Sequence, residues 1–224
     1  MKVTYIHHSG FLVESDRCYY LFDYETGTLP PLDTEKPILV LSSHGHEDHY
    51  NEEIFIQLAA AGMHDVRAIL SDDITPPEGA NVLRVSPGMT YDLGPRQTLT
   101  TLRSTDLGVA FLIRDGEAYI YHAGDLNDWV WAEESDSYNR EMTENYRAQM
   151  NLLTQMLNGQ VVDTAFVVLD PRQEADYDRG LCYFLENIPV KRVYPMHYWG
   201  TPAIIKQFLK DHPKYQSIIQ LTEE

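Results

Sequence analysis

The sequence predicts an α+β fold built as layered sheet and helix, and three observations carry that reading. Short runs rich in β-branched, aromatic and aliphatic residues dominate the first half of the 224-residue chain, helical periodicity is confined to a few segments, and no repeat, low-complexity tract or linker interrupts them. With 43% hydrophobic residues the chain can bury a substantial core, so one domain over residues 1–224 is expected.

The expected strands are Val3 to His7, Phe11 to Ser15, Tyr19 to Asp23, Ile38 to Ser42, Ala68 to Ser71, Val82 to Val85, Thr98 to Leu102, Val109 to Arg114 and Ala118 to His122. Asp115-Gly116 between the last two is a strong hairpin signal. Asn51 reads as an N-cap, with Glu52 and Glu53 in the first turn and Ile54, Leu58 and Ala61 at helical spacing. A longer helix is expected from Arg140 to Leu157, where Met142, Tyr146, Met150 or Gln149, Leu153 and Leu157 recur every three or four residues. Gly180 to Glu186 and Pro202 to Asp211 are two further candidates.

The chemistry concentrates in Ser43-His44-Gly45-His46-Glu47-Asp48-His49, which follows the apolar run Ile38-Leu39-Val40-Leu41 and precedes the first helix. Three imidazoles and Asp48 at a strand's C-terminal end can converge, and crowding them without a shared partner gains nothing for folding. Neutral imidazole nitrogen combined with carboxylate oxygen suits Zn, Mn or Fe better than Ca or Mg. A metal site is the leading reading.

The His-x-His-x-Asp-His pattern at 44–49 resembles the signature of the metallo-β-lactamase-fold hydrolase superfamily, and His122-Ala123-Gly124-Asp125 and Pro195-Met196-His197-Tyr198-Trp199 resemble its downstream motifs in the correct order. The resemblance implies a four-layer αββα sandwich, two sheets face to face with helices outside, holding one or two divalent ions in loops along one edge. It assigns His44 and His46 to the first metal, Asp48 and His49 to the second, Asp125 to a bridge between them, and His197 to the second. The family's usual third His for the first metal is absent, since no His lies between His64 and His122. In its place stands Arg103-Ser104-Thr105-Asp106, where Asp106 is the best replacement oxygen ligand, Thr105 and Ser104 are weaker ones, and a polar turn is the competing role for Asp106.

Around this set, His8 and the pair Tyr198 and Trp199 are candidates for substrate binding. Asp23 and Asp170, each after a strand, are placed to hold metal-binding imidazoles by accepting their second N–H. Trp129 and Trp131 read more as helix packing than as a pocket wall. His122 is equally explained as a strand end.

The resemblance implies hydrolysis by a metal-bound hydroxide, with Asp48 orienting it or taking its proton, on a small-molecule ester, lactone, thioester, amide or phosphoester. The alternative is a non-catalytic metal-binding protein with a degraded first site, and a redox enzyme ranks third. A net charge of −17 without any basic run argues against a nucleic-acid partner. Cys18 and Cys182 read as small buried residues. No charged segment leads into an apolar one near the start, and Lys2 to Ile6 already reads as a strand, so neither leader nor membrane span is expected and the cytoplasm is the default location.

Overall fold

A computed structural model describes residues 1–222 of the chain, which divides into two compact units, residues 1–86 and Pro87–Thr222. Each unit is built on one six-stranded mixed sheet.

In the first unit the strands lie in sequence order: β1 (Lys2–His7), β2 (Gly10–Glu14), β3 (Tyr19–Phe22), β4 (Ile38–Ser42), β5 (Val66–Ser71) and β6 (Val82–Val85). The first three pair antiparallel and the remainder parallel. β3 and β4 are buried at every position, so both faces of these strands are withdrawn from solvent, as their unbroken apolar runs require. Helix α1 (Glu53–Ala60) joins β4 to β5 and buries Ile54 and Leu58 against Leu21, Ile38 and Val40. The cap is shifted by one residue from expectation: Glu52 holds the N-cap position, while the Asn51 side chain accepts the Glu53 N–H at 3.0 Å. Ala61 is the C-cap and is exposed, so only Ile54 and Leu58 of the expected stripe reach the core.

In the second unit the sheet order is β12-β11-β10-β9-β8-β7, with β7 (Thr90–Gly94), β8 (Gln97–Arg103), β9 (Val109–Asp115), β10 (Ala118–His122), β11 (Thr164–Val168) and β12 (Val193–Met196). β7 through β10 form an antiparallel meander, and β11 and β12 add in parallel. The expected hairpin is present: Asp115 pairs with Ala118 across Gly116, whose φ of +66° suits glycine. Helix α2 (Asp136–Leu157) starts earlier than its apolar periodicity, because Ser135 caps it by accepting the Tyr138 N–H at 3.2 Å. It buries Tyr146, Met150, Leu153 and Leu157. α3 (Arg179–Asn187) and α4 (Ala203–Asp211) follow, close to their expected bounds. None of the helices among the described residues is long and apolar enough to cross a membrane.

Strand direction decides where the chemistry goes. β1, β3 and β4 run the same way, so the turn at His8, Asp23 and the 43–49 segment all leave one edge of the first sheet. β10, β11 and β12 are likewise parallel, so Asp125, Asp170 and His197 leave one edge of the second. Because β9 runs antiparallel to β10, the 104–108 loop carrying Asp106 opens at that same edge. Ligands in sheets with parallel strands gather at carboxyl ends for this reason.

Leu153 is fully buried and its neighbour Leu152 is 41% exposed, so the two report the facing of α2. Leu153→Ala should cost about 2–5 kcal/mol in urea denaturation and Leu152→Ala under about 0.5 kcal/mol. Equal losses would contradict the packing described.

Candidate metal centre

In the first unit one carboxylate organises the ligand groups. Asp23, with no solvent exposure, accepts the Ser43 backbone N–H through Oδ1 at 2.7 Å, and through Oδ2 accepts the Ser43 hydroxyl at 2.7 Å and the His49 Nδ1–H at 2.8 Å. The Ser43 hydroxyl proton is committed to Asp23, so the 3.0 Å contact between Ser43 Oγ and His44 Nδ1 has the imidazole as donor. Both His44 and His49 are thereby held as the tautomer whose Nε2 carries a lone pair. His44 Nε2 lies 3.0 Å from His46 Nδ1, close to the spacing of about 3.3 Å between neighbouring nitrogen ligands on a tetrahedral Zn. His8, Asp48 and His49 each offer a ligand atom within 4.8 Å of the others, with Asp48 Oδ2 at 3.4 Å from His8 Nε2 and 3.8 Å from His49 Nε2. The Gly45 N–H donates to Asp73 at 2.7 Å, tying the ligand loop to the segment after β5.

The second unit repeats the device. Asp170, also without exposure, accepts His197 Nδ1–H at 3.0 Å, which leaves Nε2 facing Asp125 Oδ1 at 3.4 Å. Arg172 grips the same carboxylate through Nε and Nη2. Burial alone would raise the Asp170 pKa, but the hydrogen bonds from His197 and Arg172 outweigh it and hold the carboxyl below its usual range. The Arg172 guanidinium lies against the rings of Trp131 and Trp199, 5.7 and 4.4 Å from their centroids. Trp129 meets His197 edge-on at 5.8 Å and donates its indole N–H to the Asp125 carbonyl, while stacking on Trp131. These tryptophans support the ligand-bearing turns, and Trp131 also lines a cavity of about 300 Å³ with Asn139, Arg172 and Glu174.

The residues around the missing His divide by role. Thr105 is fastened to the Asp125 turn, donating to the Asn127 carbonyl at 2.7 Å and accepting the Asn127 N–H, and Ser104 accepts the Asp106 N–H. The Asp106 carboxylate offers an oxygen within 4.8 Å of one from Asp125. His122 is fully buried at the end of β10 and accepts the Gly124 N–H, which is a strand-end role. Tyr198 has no exposure and its hydroxyl pairs with Thr222, whereas Trp199 is 46% exposed, so of this pair Trp199 is the one that solutes can reach. His8 is buried among ligand groups and not at a rim. Gly180 was not singled out by sequence; a Cβ there would lie 1.8 Å from Asn127 Oδ1, so the glycine permits the close approach of α3 to the Asp125 turn.

Backbone strain marks the same places. His8, Asp23, His197 and Trp199 all have positive φ, between 39° and 65°, which costs non-glycine residues of order 1–3 kcal/mol each. The donor set is imidazole nitrogen and carboxylate oxygen, with tautomers already set for coordination; in each unit it fits a divalent metal ion.

Residues 2–140 match the family described as the beta-lactamase superfamily domain. The chain belongs to the metallo-β-lactamase-fold superfamily. It is 32% identical over 145 residues to a UPF0173 metal-dependent hydrolase of Ignicoccus hospitalis, covering 56% of this chain and 60% of that protein. It is 30% identical over 143 residues to one of Desulforamulus reducens, covering 56% and 62%. The chain thus spans about six-tenths of the length of the curated relatives it matches. Among solved structures, a metallo hydrolase from Ignicoccus hospitalis aligns with a TM-score of 0.67 at 18% identity, covering 99% of this chain and 94% of that one. The metallo-beta-lactamase fold protein YhfI of Bacillus subtilis aligns at 0.65 and 16% identity, covering 97% and 89%. At such identities the likeness shows the fold, and the expected metallo-β-lactamase-like α+β class holds.

Asp23→Asn and Asp170→Asn should each weaken metal binding about 10–100-fold, because an amide cannot hold the Nδ1–H tautomer as a carboxylate does. Ser43→Ala should act in the same direction through His44. Competition of the purified variants against a metal-sensitive dye measures this, and unchanged affinity in all three would remove the tautomer relay.

Proposed function

We propose that the protein is a metal-dependent hydrolase of a small-molecule substrate that works with one or two divalent ions. The ligand assignment of this reading is the one the family resemblance implies: His44 and His46 for the first ion with Asp106 replacing the third His, Asp48, His49 and His197 for the second, and Asp125 for both. The observation that carries it is the pair of buried aspartates, Asp23 and Asp170, each fixing an imidazole so that its Nε2 lone pair is available. Similarity to relatives named metal-dependent hydrolases supports the reaction class. Divalent ions in such a set would act as Lewis acids that acidify water and polarise an ester, lactone, thioester, amide or phosphoester.

The chain's own contributions follow from position. Asp48 has a side chain 25% exposed, the most open of the carboxylates beside His49, and takes the role of orienting water and accepting its proton. Trp199, backed by Arg172, forms a wall for substrate. Two thiols without a disulfide accord with a reducing, cytoplasmic setting. The second reading, a metal-binding protein without catalysis, draws on the absent third His; Asp106 beside Asp125 supplies an oxygen in its place. An aspartate there adds negative charge and favours a harder ion such as Mn or Fe.

Elemental analysis should find metal in the wild type and at least one ion fewer in Asp125→Ala and His49→Ala; contents equal to wild type would defeat the ligand assignment. Asp106→Ala should lose one ion selectively. Chelation should abolish turnover of at least one member of an ester, lactone, thioester, amide and phosphoester panel, and Mn or Zn should restore it. A metal-replete protein inert on the whole panel would favour the non-catalytic reading.

A further inference from the structure

A third group of metal-ligating side chains lies in the second unit and shares no residue with the centre above. Asp178, at the N-terminal boundary of α3, and Cys182 one turn on project from the same helix face, because residues four apart align. His212, the C-cap of α4, faces them: its Nε2 is 2.6 Å from Asp178 Oδ2 and 3.6 Å from Cys182 Sγ. The ring is held in place by Phe208 at 4.7 Å and Tyr215 at 6.4 Å between centroids. All three residues are half-buried, and each offers a ligand atom within 4.8 Å of the others.

We propose that Asp178, Cys182 and His212 form a separate binding site for a thiophilic divalent cation of the zinc class. On a tetrahedral Zn with bonds of about 2.3 Å to sulfur and 2.0–2.1 Å to nitrogen, sulfur and nitrogen lie about 3.5 Å apart, which matches the Cys182–His212 distance. The Asp178–His212 hydrogen bond must open by about 0.7 Å to admit the ion, a movement within reach of one carboxylate rotamer. One sulfur, one nitrogen and one oxygen exclude Mg and Ca as preferred occupants. Binding displaces the thiol proton to solvent and shifts the His212 ring proton from Nε2, where it now faces Asp178, to Nδ1; the ion then carries two negative ligands, giving a neutral site. The fourth position is left to water. Occupied, the site joins α3 to the end of α4 more firmly than the hydrogen bond alone.

Cobalt(II) titration of the full-length apoprotein isolates this site, because the other centre has only imidazole and carboxylate ligands and produces no thiolate-to-cobalt charge-transfer band. The band should saturate once one cobalt per chain occupies this site, beyond the one or two equivalents that the other centre takes, in the wild type and in Cys18→Ser, vanish in Cys182→Ser, and require about tenfold more cobalt in His212→Gln and Asp178→Asn. A wild-type chain without the band at tenfold cobalt excess, or a band that survives in Cys182→Ser, overturns the proposal. As a measurement needing no variant, zinc should slow alkylation of Cys182 by iodoacetamide at least tenfold, read by peptide mass; a rate indifferent to zinc counts against the site.

Discussion

The site depends on an ionised carboxylate with no access to water. Burying such a charge is costly unless its lone pairs are filled by donors, and Asp23 meets that requirement with a backbone N–H, a hydroxyl and an imidazole. The same bonds that make its burial tolerable choose the tautomers of two histidines, one directly and one through Ser43. Stability and ligand preparation are therefore the same interaction. Asp170 solves the equivalent problem with His197 and Arg172, and the tryptophan rings beside that guanidinium keep it over the carboxylate.

Strand direction explains why these groups meet within each unit although they are scattered along the sequence. Segments leaving the carboxyl ends of parallel strands share an edge, so residues 23 and 43–49, or 125, 170 and 197, become neighbours without any local sequence relation. The chain turns sharply at these exits, and the positive φ angles of His8, Asp23, His197 and Trp199 are where the sharpness falls. Strain of this kind persists only where surrounding bonds over-determine it. At Asp23 and His197 those bonds are the ones just described.

Much of this was legible in the sequence, for reasons that differ by residue. His44, His46, Asp48 and His49 are close in the chain, so their chemistry could be read locally. Asp23 and Asp170 were readable as imidazole partners because an aspartate just past a strand end can reach back to the ligands. The Ser43 relay was not, since it depends on which proton goes to which acceptor. β7 escaped because Thr90-Tyr91-Asp92-Leu93-Gly94 lacks an apolar run and is held mainly by its ladder to β8. The start of α2 escaped because Asp136 to Asn139 carry no apolar stripe and rely on the Ser135 cap. Cys182, expected to be a small buried residue, is only half-buried, as its place in the sequence said nothing about His212 thirty residues later.

The alternation that sends the ligand loops to one edge of each sheet sends the remaining connections to the other. Within its own sheet, the turn at Ser15 to Cys18 between β2 and β3 opens away from the strand ends that carry His8 and Asp23, and the Gly116-Glu117 turn between β9 and β10 opens away from those that carry Asp125 and His197. The first is anchored by Lys36, which donates to the Ser15 carbonyl at 2.8 Å, and by the buried Ser15 and Cys18, whereas the second is tied to the neighbouring β7–β8 turn through the Gly116 N–H and the Arg96 carbonyl and is otherwise exposed at Glu117. The tight Gly116 turn, with Arg96 and Glu117 exposed beside it, is therefore the natural place to graft a fluorophore, an affinity tag or an additional module onto this scaffold while its chemistry is left alone.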